Sequence, residues 1–288
     1  MVVCAIAGFA LAYAWSAELV DKSIGFNVAS GLLGEDAANA SIGGVVSGVI
    51  FSLVSGVAGS FTACNFAVFG AVGPLVGQTT SRRTRFVRTL RPLGWLAVGM
   101  FPVSALYGAL VGVFGTKMPQ FSATPGTGLT PRIVQAMVTF GLIGVVMLVL
   151  GLASLGVVRD PMAAISRRYP NAPLVLMGIL IGGFLIGRPY PLFREMFQHA
   201  ARTHNPFYGA LAFALQSAGN ILVMAALFLV LTHSTGGRLQ RWLGENPTRT
   251  TVLTACSFLV AGVFTVLYWD VRILGRLNYL WFPTAPWS

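Results

Sequence analysis

Charged residues are scarce in this chain. Asp, Glu, Lys and Arg make up 9% of its 288 residues, whereas they make up about 25% of a typical soluble domain. Hydrophobic residues account for 55%, and the mean hydropathy is +0.75. This composition excludes an ordinary soluble domain and indicates a membrane-embedded protein.

Common catalytic signatures and cysteine frameworks are also lacking. No P-loop, GxSxG or HExxH sequence occurs, so none of the enzyme classes that carry these motifs is indicated. The three cysteines, Cys4, Cys64 and Cys256, lie in apolar runs and form no CxxC motif, so no disulfide framework is predicted. We expect Cys4 and Cys256 to be small, inert apolar residues.

One acidic and two histidine side chains lie close together near the end of an apolar run. Glu195 and His199 are four residues apart, and His204 follows. These residue types can bind a metal, but at the edge of a membrane they are more often plain interfacial residues. No metal and no cofactor is therefore predicted.

Seven long apolar runs dominate the sequence. The predicted spans are residues 2–20, 43–78, 92–115, 133–158, 173–201, 207–231 and 251–271. A transmembrane helix needs roughly 20 apolar residues, so we predict an all-α integral membrane protein with about seven transmembrane helices. The first run lacks a basic segment and a clear cleavage site, so we interpret it as a retained helix rather than a signal peptide.

The basic residues cluster in three connections between these runs, residues 79–91, 159–172 and 234–250. They are Arg82, Arg83, Arg85, Arg88, Arg91, Arg159, Arg167, Arg168, Arg238, Arg241 and Arg249. Short basic loops stay on the cytoplasmic side. We therefore predict a bacterial inner-membrane protein in contact with lipid, with the N-terminus inside and the aromatic C-terminal tail outside. The net charge of +11 is then a topology signal and not a nucleic-acid surface.

A charge and two prolines interrupt the fifth predicted span. Arg188 is followed by Pro189, Tyr190 and Pro191. Proline breaks a helix, and a charge near the bilayer centre costs at least about 2.5–3.5 kcal/mol. Such a break is tolerated only where protein or a water-filled cavity surrounds it. We interpret it as the functional centre, where Arg188 binds an anion or clamps backbone carbonyls, and Tyr190 supplies a hydroxyl or simply packs.

The second predicted span has a related irregularity. It is too long for one straight crossing, contains Cys64 and Asn65 where we expect it to break or tilt, and continues to Pro74. Spans two to four and spans five to seven thus form two groups that begin alike and run in opposite directions. We predict an inverted three-plus-three repeat: an extra N-terminal helix and loop in residues 1–42, a first unit in residues 43–158, and a second unit with the tail in residues 159–288. Binding sites in such proteins lie at the paired breaks.

Two polar residues of the sixth span belong to the same candidate site. Gln216 and Asn220 are four residues apart and share a helix face. They either line a cavity or form hydrogen bonds across helices.

Much of the chain resembles the CcdA/DsbD-like membrane thiol-electron transporters of the LysE-type superfamily. The run 52–115, with Cys64 and Pro74, is similar to their first half. Residues 179–231 are similar to their second half, in which the element Gly187-Arg188-Pro189-Tyr190-Pro191 precedes Asn205-Pro206-Phe207-Tyr208-Gly209-Ala210-Leu211. The resemblance covers residues 45–270. It implies transfer of reducing equivalents, or thiol handling, for the maturation of extracytoplasmic proteins such as cytochrome c.

The chain departs from that family at one position. Each half of the family supplies a cysteine, but here Arg188, Pro189 and Tyr190 occupy the second position. The resemblance then implies that Cys64 exchanges disulfides with a thioredoxin-like or other membrane partner, its thiolate favoured by the nearby Arg188. Two alternatives stay open: a small-solute or ion transporter that uses Arg188, and a non-catalytic subunit of a larger membrane complex.

Overall fold

The computed structural model describes residues 1–16, 24–33, 42–60, 82–122, 128–187, 191–234 and 245–287. These residues form helices, and no β-strand occurs among them. The helices are α1 (Val2–Ala14), α2 (Phe26–Leu33), α3 (Val45–Ala58), α4 (Arg82–Phe114), α5 (Pro131–Ser154), α6 (Ala163–Arg168), α7 (Ala172–Gly187), α8 (Pro191–Thr203), α9 (Pro206–Ser234), α10 (Pro247–Val266) and α11 (Arg272–Arg276). Two 3₁₀ turns, Gly115–Lys117 and Pro119–Phe121, follow α4, and a π-helix, Leu267–Val271, joins α10 to α11.

Four helical stretches are long and apolar enough to cross a membrane. They are Leu90–Lys117, Pro131–Ser154, Pro206–Val230 and Thr248–Arg276. Three shorter apolar helices, α1, α3 and α7, accompany them in the described part of the chain. The prediction of an all-helical membrane protein is confirmed at this level.

Three of the long helices begin in the same way. Thr130, Asn205 and Asn246 each stand before a proline, and their side-chain oxygens accept hydrogen bonds from N–H groups of the first turn. Those N–H groups have no partner within the helix, and proline suits the first helical position because it has no N–H to satisfy. The local sequence therefore fixes where α5, α9 and α10 start.

Three regions predicted as loops contain helices, and one of them, residues 159–172, contains α6. Residues 79–91 were expected to be a loop, but from Arg82 the chain is already helical, and α4 continues through Pro92 and Pro102. Arginine is a good helix former, so a run of arginines marks a basic region without ending a helix. The loop predicted after the first span, within residues 1–42, likewise contains α2.

Helices α4 and α7 cross at glycines that leave no room for side chains. A Cβ on Gly178 would collide with the carbonyl oxygen of Leu96, and a Cβ on Gly99 would collide with that of Val175. Further along α7, Gly182 packs against α4 one turn later. The two helices are therefore parallel and in backbone contact, a packing that small residues make possible in membranes.

Helices α3 and α9 cross in the same manner. A Cβ on Gly56 would collide with the carbonyl oxygen of Gln216, and a Cβ on Gly219 would collide with that of Leu53. Near the beginning of both helices, Gly48 packs against the first turn of α9. This pair is also parallel.

The remaining close crossings are antiparallel, except the one made by α1. Gly108 of α4 meets Gly209 of α9, and Gly144 of α5 meets Gly262 of α10, in each case through the carbonyl oxygen of the other glycine. Helix α1 lies parallel to α10, where Gly8 packs against the backbone and side chains of α10.

Candidate functional site

The fifth predicted span is divided into two helices. Helix α7 ends at Gly187 and α8 begins at Pro191, and the predicted break between them lies outside the described residues. The predicted site residues Arg188, Pro189 and Tyr190 lie outside the described residues. So do those of the second span, Cys64, Asn65 and Pro74. What the structure describes is the protein that surrounds the end of α7.

A three-residue hydrogen-bond network holds the end of α7. The Gln135 side-chain amide of α5 donates from Nε2 to the Ile186 carbonyl oxygen at 2.6 Å and to the Tyr107 hydroxyl at 2.8 Å. The Tyr107 hydroxyl in turn lies 2.7 Å from Oε1 of Gln120. The last four carbonyls of a helix have no partner within it, so Gln135 satisfies one that the break leaves exposed.

The network also fixes how its amides are oriented. Because Gln135 Nε2 donates to the Tyr107 hydroxyl, that hydroxyl donates its own proton to Gln120 Oε1. This leaves Oε1 of Gln135 as an acceptor and Nε2 of Gln120 as a donor. Both atoms are buried and have no hydrogen-bond partner among the described residues. Unsatisfied buried polar atoms beside a helix break can bind a polar solute or water.

Aromatic rings enclose this network. Tyr107 is 5% exposed and packs edge-on against Phe197 of α8 and Phe213 of α9, with ring centroids 5.9 and 5.8 Å apart. On the other side, Gly187 lies against the ring of Phe140, which stacks on Trp269 at 4.2 Å. The rings and Gly187 bring α4, α5, α8, α9 and the π-helix together around the end of α7.

The polar residues predicted on the sixth span are inside the protein. Gln216 and Asn220 of α9 are 3% and 7% exposed, so neither faces lipid. The side-chain oxygens of Gln216, Ser217 and Ser55 are buried and have no hydrogen-bond partner among the described residues. Gln216 therefore lies where it can line an internal polar site at the crossing of α3 and α9.

The cysteines at the two ends of the chain are paired, which the sequence analysis did not predict. The Sγ atoms of Cys4 on α1 and Cys256 on α10 are in bonding contact, and their Cα atoms are 5.5 Å apart. That Cα separation is usual for a disulfide. The expectation that both are inert apolar residues is therefore wrong. No signal in the sequence pairs them, because the contact depends on α1 packing parallel to α10.

A buried arginine near the end of α10 was also missed. Arg272 is 1% exposed and donates from Nη1 to the carbonyl oxygens of Ala12 and Trp15, both at 2.9 Å. Its guanidinium lies 4.9 Å from the centroid of the Tyr268 ring. The carbonyls belong to the last turn and C-cap of α1, where a cation is favourable. Arg272 thus attaches α1 to the end of the last long helix.

The conceivable metal ligands do not come together. Among the described residues no group of three or more His, Cys, Asp or Glu side chains could hold a metal ion. His199 lies on the polar face of α8, with its ring 5.3 Å from that of Tyr208.

Comparison of this chain with known protein families, curated proteins and solved structures finds no match.

Proposed function

We propose that this protein is a membrane carrier built from two three-helix units of opposite orientation, with its transport site at the end of α7. The first unit consists of α3, α4 and α5, and the second of α7 with α8, α9 and α10. The carrier moves a small polar solute or ion through the Tyr107, Gln120 and Gln135 network, and Arg188, two residues after Ile186 in the sequence, is the proposed cation.

The reciprocal glycine crossings support the inverted arrangement. The first helix of each unit packs on the second helix of the other: α3 on α9, and α7 on α4. In each crossing, a glycine on one helix faces the carbonyl oxygen of the residue three positions before the glycine on the other helix. Gly56 and Gly219 have this relation, and so do Gly178 and Gly99. A two-fold relation between the units accounts for both crossings at once.

The residue offsets between equivalent glycines support the same arrangement. Gly178 follows Gly56 by 122 positions, Gly219 follows Gly99 by 120, and Gly262 follows Gly144 by 118. The contact between Gly144 and Gly262 joins the third helices of the two units to each other, as a contact near a two-fold axis would. Carriers with inverted repeats bind their substrates at broken helices between the units.

The observation that carries the transport site is the pair of hydrogen bonds from Gln135. They join Gln135 to the carbonyl of Ile186, at the end of α7, and to the Tyr107 hydroxyl, which donates to Gln120. The two glutamine side chains each retain one buried polar atom that has no partner among the described residues. A polar cluster next to an interrupted helix is the arrangement in which a carrier replaces the hydration shell of its substrate.

Thiol transfer of the CcdA/DsbD type is the second candidate function. The offset of 122 between Gly56 and Gly178 makes Cys64 the equivalent of Ile186, next to the break. In this version Cys64 exchanges disulfides with a thioredoxin-like partner and supports maturation of extracytoplasmic proteins such as cytochrome c. Orientation in a bacterial inner membrane, with the N-terminus inside, is part of both candidates.

The carrier proposal can be tested without a known substrate by asking whether the site opens alternately to the two sides of the membrane. Gln135→Cys is made in a Cys4→Ser, Cys64→Ser, Cys256→Ser background, reconstituted in vesicles, and exposed to a membrane-impermeant maleimide from one side at a time. We expect labelling from both sides, because a carrier opens its site alternately. Labelling from one side only, or from neither, would contradict the carrier and favour a silent subunit. Trapping of native Cys64 in a mixed disulfide with a partner would support thiol transfer.

A further inference from the structure

A cavity lies between α5, α6, α7 and α10, at the end of the bundle that carries Arg159, Arg167 and Arg168. We infer that it holds an acyl chain of an anionic phospholipid whose headgroup is bound by these three arginines. The cavity has a volume of about 270 Å³, and its walls are mainly apolar, formed by residues such as Leu150, Ala153, Leu174, Met177 and Phe258. This site is independent of the transport proposal.

The chemistry of the walls identifies the part of the ligand inside the cavity. Ser154 and Ser166 donate their hydroxyls to carbonyls of the preceding turn of their own helices, and the carboxylate of Asp160 accepts from the backbone N–H of Met162. Each of these three groups already makes a hydrogen bond, and Thr250 and Thr254 are the other polar residues of the lining. A ligand that brought further polar atoms into the cavity would have to bury them without partners, which costs free energy. A hydrocarbon chain has no polar atoms and therefore carries no such cost.

Positively charged residues adjoin the lining of the cavity in the sequence. Arg159, Arg167 and Arg168 are exposed, and none forms an ion pair within the described part of the chain. Arg159 is adjacent to Asp160 and Arg167 to Ser166, which both line the cavity. Guanidinium groups bind phosphate through paired N–H donors, so these neighbours of the lining residues are the groups that would bind the headgroup.

The surface near these arginines has the composition expected at the depth of the lipid headgroups. Val157, Val158, Ile165 and Tyr169 are large exposed apolar residues between and beside the arginines. The guanidinium of Arg168 lies 5.8 Å from the centroid of the Tyr169 ring. Apolar side chains alternating with arginines are typical of protein at a membrane interface, and basic pockets next to spanning helices bind anionic headgroups.

Differential stabilisation by lipids tests the site. The protein is purified in detergent, and its unfolding temperature is followed as phosphatidylglycerol, phosphatidylcholine or inorganic phosphate is added. We expect stabilisation by phosphatidylglycerol at concentrations at which the other two have little effect. Each arginine near an anionic headgroup strengthens binding by about fivefold, so the Arg159→Gln, Arg167→Gln, Arg168→Gln variant should bind on the order of a hundredfold more weakly.

Two further variants complete the test: one is a control for loss of an arginine, and the other tests binding of the acyl chain. Arg202→Gln removes an exposed arginine of α8 and should respond to phosphatidylglycerol like the unmodified protein. Ala153→Phe fills the cavity and should lower the amount of phospholipid that co-purifies. The inference is wrong if phosphatidylcholine or inorganic phosphate stabilises equally, if the triple variant keeps its preference for phosphatidylglycerol, or if Ala153→Phe binds lipid normally.

Discussion

The carbonyl oxygens of Gly108 and Gly209 each occupy the space that a Cβ on the other residue would need. Helices α4 and α9 therefore meet backbone to backbone, closer than any pair of larger residues would allow. Close approach of this kind replaces the hydrophobic driving force that is weak between helices in lipid. It also places Tyr107, the residue before Gly108, directly against Phe213 of α9.

Replacing Gly108 or Gly209 by alanine should therefore destabilise the protein. The added methyl group forces the helices apart, and overpacking of this kind costs about 1–3 kcal/mol. Gly94→Ala is a matched control on the same helix, because a Cβ there meets no atom within 4 Å. The free energy of unfolding in detergent measures the effect. Equal losses for Gly94→Ala and Gly108→Ala would mean that helix contact is not the cause.

The Gln135 network should be worth measurable stability. Gln135→Leu leaves the Ile186 carbonyl without its side-chain donor, and a buried polar group without a partner costs about 1–3 kcal/mol. Tyr107→Phe removes the hydroxyl that the same amide contacts. The double variant should therefore lose less than the sum of the single variants, as residues of one network do. Gln198→Leu, which affects an amide bonded to the exposed Arg202, serves as the control. Strict additivity would show that the two residues act separately.

The cysteine pair predicts which thiol is free. When the protein is unfolded without reductant in the presence of an alkylating reagent, Cys64 should be modified while Cys4 and Cys256 stay joined. Peptide mass spectrometry should find the cross-linked peptides, and prior reduction should expose all three thiols. Cys256→Ser should make Cys4 reactive, whereas Cys64→Ser should not. Modification of Cys4 in the unreduced protein would argue against the pairing.

Membrane character could be predicted from the sequence because it depends on local chemistry. Long apolar runs require a lipid environment. The buried position of Gln216 and Asn220 was likewise within reach, since polar residues in an apolar helix avoid lipid.

The surroundings of the break could not be predicted in the same way. Gln135 and Ile186 are far apart in the chain, and nothing local to Gln135 distinguishes it from a glutamine at the start of any helix. The same holds for Arg272, whose partners Ala12 and Trp15 lie at the other end of the sequence. Contacts of this kind follow from which helices are neighbours. The long apolar helices can be recognised in the single sequence, but their neighbours become clear only with the structure.

Arg272 should anchor α1. Arg272→Met removes two charge-assisted hydrogen bonds to carbonyls of α1, each worth about 1.5–3 kcal/mol. Since α1 then loses its contact at one end, the fraction of protein with Cys4 and Cys256 joined should fall in the same variant. Arg276→Met, in the last turn of α11, is the control. A normal level of the disulfide together with unchanged stability would show that Arg272 is dispensable for attaching α1.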